Sequence, residues 1–229
     1  MLSNLVIILF VLVLVAGVPA LSFVTARRSE IRQIPRLSLY LSAVVSQWLL
    51  AGLGMLVVFL TSRSILAASF RSVSFFALIR WAAVVVAASL VGMSVSLLLE
   101  RRGWWPAESE LVHLLMPKTR QEKLWSVLVL APTAAFCEEF LYRGYLLAQL
   151  GQWFHSVSWA WVASSVVFGL AHVYQGWGGM LRAALLGALL AYPVVRLGSL
   201  YPSIVAHGLI DALALVWLGP KFLPPRPAP

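Results

Sequence analysis

Cys137-Glu138-Glu139-Phe140-Leu141-Tyr142-Arg143 places two adjacent carboxylates, and an arginine four residues after the second, inside an apolar run. A charged residue at mid-bilayer costs roughly 2.5–3.5 kcal/mol on insertion scales, and such residues usually pair or serve a function. The flanking residues decide whether this run lies in a membrane. From Leu124 to Leu150 the only other ionisable side chains are Cys137, Tyr142 and Tyr145, and crossing a bilayer takes about 20 apolar residues. The stretch therefore reads as a span that carries its own charge pair.

The rest of the chain agrees. Of 229 residues, 61% are hydrophobic and 11% are charged, where a soluble domain carries about 25% charged residues. Apolar runs are expected as spans at about 2–23, 37–61, 73–99, 124–150, 158–173, 180–197 and 201–218. Val18-Pro19-Ala20 resembles a small-residue cleavage site. However, no Lys or Arg precedes the first run, and Arg27, Arg28, Arg32 and Arg36 follow it, so it is expected to be a retained span entering from outside. Residues 100–123 are polar with an apolar side at Leu111, Val112, Leu114, Leu115 and Met116, and read as an interfacial helix plus loop. The expected fold is thus all-α: a polytopic transmembrane helical bundle of about seven spans plus an interfacial helix. Residues 1–123 form the N-terminal spans and connector, 124–218 a catalytic-type membrane core, and 219–229 a Pro-rich tail. A multi-pass protein of the cell membrane follows.

The net charge of +9 lies in short loops between apolar runs. That pattern serves topology and contact with anionic membrane lipid rather than nucleic acid. The single cysteine, Cys137, excludes an internal disulfide and a cysteine-based metal cluster. In an apolar span it reads as a small buried hydrophobe.

Of eight acidic residues, Glu30, Glu100, Glu108, Glu110 and Glu122 are expected in polar loops. Glu138, Glu139 and Asp211 fall inside spans, as do His172 and His207. Glu139 and Arg143 share a helix face and can pair. Glu138 is turned about 100° from Glu139 and is left free for chemistry. His207 and Asp211 are also four apart, so Asp211 can orient the imidazole or accept its proton. A carboxylate and a histidine meeting in a semi-apolar cavity suit water activation, with a histidine then donating a proton or holding the tetrahedral oxyanion. Alternatively Glu138, His172 and His207 form a zinc ligand set with water in the fourth position, although no His-Glu-x-x-His motif is present. His113 and His155 read as structural, Phe168 as core packing or a wall beside the site, and Arg80 as a snorkelling side chain.

Glu138-Glu139-x-x-x-Arg143, Phe168-x-x-x-His172 and His207-x-x-x-Asp211, in that order on consecutive apolar helices, resemble the family of type II CAAX prenyl endopeptidases and bacteriocin-processing enzymes. The resemblance covers roughly residues 124–215. It implies an all-helical intramembrane protease in which Glu138 and His172 activate the attacking water. His207 and the residue four later would stabilise the oxyanion, with Glu139 and Arg143 in support. The best-understood branch has asparagine at that last position, whereas this chain has Asp211. An ionised aspartate would repel an oxyanion, so Asp211 is expected to be protonated, to orient His207, or to bind a metal. The favoured mechanism requires no cofactor, and zinc is the alternative. The implied partner is a protein or peptide substrate, entering laterally or from the cytoplasmic side into a conical cavity between spans four, five and seven. Two other classes compete: a proton-coupled transporter, opposed by the lack of inverted repeats, and a non-enzymatic scaffold or immunity factor, opposed by the intact acid–base set.

Overall fold

The computed structural model describes residues 2–61, 69–107 and 109–218. The expectations for Arg63, Glu108 and the 219–229 tail lie outside them. Among the described residues five helices are long and apolar enough to cross a membrane: α1 (Ser3–Arg27), α2 (Arg36–Thr61), α3 (Phe75–Arg101), α5 (Arg120–Phe154) and a fifth over Val173–Leu197. In the last of these, the helix α7 (Gly176–Leu197) follows a single 3-10 turn. Two shorter apolar helices are α6 (Val157–Ala171) and α8 (Tyr201–Trp217), and α4 (Glu110–Leu115) is a short helix in the connector. The all-helical membrane bundle read from the sequence is therefore the observed architecture. The described residues show a single antiparallel bridge, Phe70 to Ser199, outside the helices.

Local chemistry sets the helix ends. Thr119 and Glu122 form a reciprocal capping box at the start of α5. Ser74 and Ser156 accept from the backbone N–H groups of Ala77 and Trp159 at the starts of α3 and α6. His155 takes the left-handed conformation that ends α5, at φ 50°. Within α5 the helix takes a wider π turn over Ser126–Leu130, and Pro132 enters the first turn of the α segment that follows.

In lipid the hydrophobic effect does not drive helices together, so close packing and internal hydrogen bonds must. Leu9, Leu49, Phe75, Phe76 and Val91 accordingly face outward. Phe10, Leu14, Ala51, Val58, Phe140, Leu141 and Tyr145 form an apolar core joining α1, α2 and α5. Phe10 meets Tyr145 edge-on, with ring centroids 5.1 Å apart. The first apolar run is thus an integral part of the bundle. A Cβ on Gly169 would stand 2.7 Å from the Ala184 Cβ, so glycine is what lets α6 approach α7.

The connector is shorter than the 100–123 segment expected. Glu100 and Arg101 finish α3, and Arg120 already begins α5. What remains is clasped to one end of the bundle. The Tyr40 hydroxyl donates to the Leu115 carbonyl and Arg36 Nε to that of Leu114, both at 2.7 Å. Ser109 donates its hydroxyl to the Tyr174 carbonyl at 2.6 Å and its N–H to that of Gln175 at 2.9 Å. These bonds hold the connector over the turn that follows α6.

Candidate active site

α5 supplies Glu138, Glu139 and Arg143, the end of α6 supplies His172, and α8 supplies His207 and Asp211. Glu138 is the last residue of an α segment, and Glu139–Leu146 continues as a π-helix. Such wide turns recur where side chains must be re-aimed at functional sites.

All six residues singled out in the sequence meet in one cluster. Glu138 Oε2 lies 3.9 Å from His172 Nε2 and 3.8 Å from His207 Nε2. His207 Nδ1 bonds Glu139 Oε1 at 2.8 Å, so the two adjacent glutamates address opposite nitrogens of one imidazole. Arg143 Nη1 lies 3.0 Å from the same Glu139 oxygen, as the four-residue spacing suggested. Asp211 Oδ2 lies 3.6 Å from His207 Nε2. Of the roles expected for Asp211, orienting His207 through a direct hydrogen bond is not seen at this distance. The orienting bond comes from Glu139 on a different helix, at hydrogen-bond length, while Asp211 stays beyond it.

Tautomers follow from the partners. His172 Nδ1 is 2.8 Å from the Phe168 carbonyl, which can only accept, so Nδ1 carries the proton and Nε2 presents its lone pair to Glu138. An ionised Glu139 likewise accepts from His207 Nδ1–H.

Burial divides the cluster into a dry floor and a wet rim. The side chains of Glu139, Arg143 and His207 are 0%, 1% and 3% exposed, against 15% for Glu138 and His172 and 28% for Asp211. The floor residues are thus positioned and the rim residues can meet solvent or substrate. Phe168 walls the site as expected. Its ring centroid is 4.5 Å from that of His172 and 6.1 Å from that of His207, and the Arg143 guanidinium lies 4.0 Å over its face. Tyr142 packs edge-on against the same ring at 5.2 Å. Cys137 is fully buried in the apolar core, as its reading required, and His155 sits at a helix end.

Sequence reasoning missed two features. Gln47 of α2 donates its side-chain N–H to Glu138 Oε1 at 2.8 Å, so Glu138 is not free. The signal was present: Gln47 is a lone amide in a 26-residue apolar helix, on the same face as the buried Tyr40, Ala51, Gly54 and Val58. The second is Arg182 in α7, whose Nη1 lies 3.2 Å from Glu100 Oε2. Glu100 is thus a helix residue in an ion pair rather than a loop acid.

An apolar cavity of about 510 Å³ lies between α2 and α5, lined by Met55, Leu56, Phe59, Phe70, Phe136 and Phe140. The acid–base residues do not line it. The cavity expected between spans four, five and seven is not this one.

A match to a family of known proteins coincides with the cluster. Residues 120–213 match the type II CAAX prenyl endopeptidase family, Rce1-like. Over this segment the chain is similar to that family. No curated protein and no solved structure matches the chain. The Rce1-like segment contains every acid–base residue described above and omits α1, α2 and α3, hence also Gln47. The family is one of endopeptidases, and the resemblance drawn from the three motifs holds for this segment.

Zinc can be tested against the donor set of the Rce1-like segment. With zinc–ligand bonds of about 2.0–2.2 Å, Glu–His edges of 3.8 and 3.9 Å would subtend roughly 120–155° at the metal, against about 109° in a tetrahedral site. The donors as they stand are splayed wider than a zinc ligand set. Among the described residues no group of three or more His, Cys, Asp or Glu side chains is arranged to hold a metal ion.

Proposed function

We propose that this chain is an intramembrane endopeptidase of the cell membrane that hydrolyses a peptide bond with water activated by Glu138 and His172. The observation that carries the reading is that a single carboxylate oxygen, Glu138 Oε2, faces the Nε2 atoms of two histidines from two other helices at 3.8 and 3.9 Å. That spacing is too long for direct hydrogen bonds and leaves room for a shared water held by oxygen and nitrogen.

In the proposed reaction the water oxygen attacks the substrate carbonyl carbon and its proton passes to Glu138, with the His172 Nε2 lone pair fixing the water's orientation. His207, protonated at both nitrogens and held through its Nδ1–H by the buried Glu139, points its Nε2–H at the developing oxyanion and donates to it. Collapse of the tetrahedral intermediate breaks the C–N bond, and the leaving amine takes the proton from Glu138. No step passes through a metal. Asp211 sits on the rim beside His207 Nε2 and supports that ring without holding it.

The Rce1-like match favours a C-terminal prenylated peptide as the first substrate to try, beside an unmodified peptide library. The test is cleavage by the purified chain in detergent, with Glu138→Gln, His172→Ala and a chelator arm. Cleavage should disappear in both variants and survive chelation. Undiminished cleavage by Glu138→Gln removes the mechanism. Loss on chelation with recovery on adding zinc replaces it with a metal-dependent one.

A further inference from the structure

We infer that Gln47, outside the Rce1-like segment, is a positioning residue for Glu138, so that the second span completes the acid–base site; this inference rests on the proposed hydrolytic reading. A carboxylate has two oxygens and can rotate about its last bond. Only one oxygen can face both imidazoles at once. Gln47 Nε2 donates to Oε1 at 2.8 Å, and Oε2 is the atom at 3.9 and 3.8 Å from His172 and His207. The amide therefore decides which oxygen serves the water. Since an ionised carboxylate only accepts, the end of Gln47 that meets it must be the NH₂ group.

The placement of Gln47 is itself fixed. The next residue, Trp48, donates its indole N–H to Thr133 Oγ1 at 3.3 Å and stacks on Phe136 with centroids 5.5 Å apart. Two turns on, a Cβ on Gly54 would meet Leu141 Cδ2 at 3.1 Å and Phe140 Cε1 at 3.2 Å, so α2 and α5 are in close contact there. Two turns before Gln47, Tyr40 is tied to the connector at Leu115. α2 is thus anchored above and below the amide, and a side chain held this way can hold another in turn. The Gln47 oxygen is buried with no hydrogen-bond partner among the described residues. The amide is therefore committed to the carboxylate through its nitrogen alone.

The test uses the full chain in detergent and a peptide that the wild type cleaves. Gln47→Met keeps the length and removes the donor. Gln47→His restores an N–H the same number of bonds from the backbone. A freely rotating Glu138 misplaces the base, and displacement of a reacting group by about 1 Å can cost on the order of 10²-fold in rate. The expected result is a fall in kcat of that order in Gln47→Met, with KM and the unfolding midpoint near wild type and a substantial recovery in Gln47→His. An independent arm follows the infrared carboxylate stretch of Glu138, assigned by its loss in Glu138→Gln. That band should move in Gln47→Met.

Wild-type kcat in Gln47→Met overturns the inference. So does a change confined to KM, or a loss that follows the unfolding midpoint and is not recovered by Gln47→His. If the wild type cleaves nothing, the hydrolytic reading fails, and an unmoved Glu138 band then overturns the Gln47 contact as well. Cleavage that survives Glu138→Gln defeats the mechanism and the role of Gln47 together.

Discussion

Glu139 holds more of the site together than Glu138, the adjacent acid proposed as the base. One of its oxygens lies 2.8 Å from His207 Nδ1 and 3.0 Å from Arg143 Nη1, and its side chain is fully buried. Removing one partner of a buried ion pair costs about 3–5 kcal/mol, because the remaining charge is left uncompensated. Glu139→Ala should destabilise the chain by about that much and abolish cleavage, as followed by unfolding in detergent and by product formation. Asp211→Asn should behave differently. Asp211 is 28% exposed and 3.6 Å from the His207 ring nitrogen, so losing its charge should change cleavage by less than about tenfold, or 1.4 kcal/mol in the barrier. A tenfold or greater loss in Asp211→Asn, with Glu139→Ala still active, would reverse the roles given to the two acids. The sequence showed the Glu139–Arg143 pair because both partners share a helix four residues apart. It offered Asp211 as one group that can orient His207 for the same reason, since that too is a four-residue spacing. The bond that actually orients the ring joins residues 68 apart in the chain, a relation that only packing reveals.

At the scale of helices, the site depends on how closely α6 approaches α7. A Cβ on Gly169 would meet Ala184 Cβ at 2.7 Å and the Met180 carbonyl oxygen at 2.9 Å. Backbone cannot yield as a flexible side chain can, so Gly169→Ala must push the two helices apart. Overpacking of this kind costs typically about 1–3 kcal/mol. His172 stands three residues on at the end of the same helix, so cleavage should fall with stability. Gly52 is the control: a Cβ there meets nothing within 4 Å. Gly52→Ala should be neutral or stabilising, by up to about 1 kcal/mol, through the lower entropy cost of alanine in a helix. Unfolding midpoints of the two variants in detergent check the pair, and a Gly169→Ala midpoint at or above that of Gly52→Ala would show that the helices do not pack this way. The helices themselves were legible because length and apolar composition mark a span. The π turns over Ser126–Leu130 and Glu139–Leu146 were not, because a wide turn leaves the same apolar pattern as a regular one. That is also why the sequence placed the glutamates on the right helix without predicting that they bracket a single ring.

Across the whole molecule, the helices alternate between two ends, and charge distinguishes the ends. Arg27, Arg28, Arg32 and Glu110 lie together around a polar recess of about 280 Å³ at one end, where Arg36 also meets the connector. Lys118, Arg120 and Lys123 belong to the same region at the start of α5. The other end is marked by the contacts of Ser69 and Arg71 with Leu200 and Gly198. His172 lies toward the basic end, since the turn that follows it is bonded to Ser109 of the connector. Positive loops stay on the cytoplasmic side, so the rim of the site should open there. Cysteine labelling decides this. Cys137 is fully buried and should not react, and Cys137→Ala removes it entirely. In that background Ser72→Cys, exposed at one end, and Gln33→Cys, exposed at the other, should respond differently to a membrane-impermeant maleimide on intact cells. Ser72→Cys should be labelled directly and Gln33→Cys only after permeabilisation. The opposite pattern would place the basic end outside and turn the rim of Glu138, His172 and Asp211 toward the exterior, so that any substrate would have to reach the site from that side.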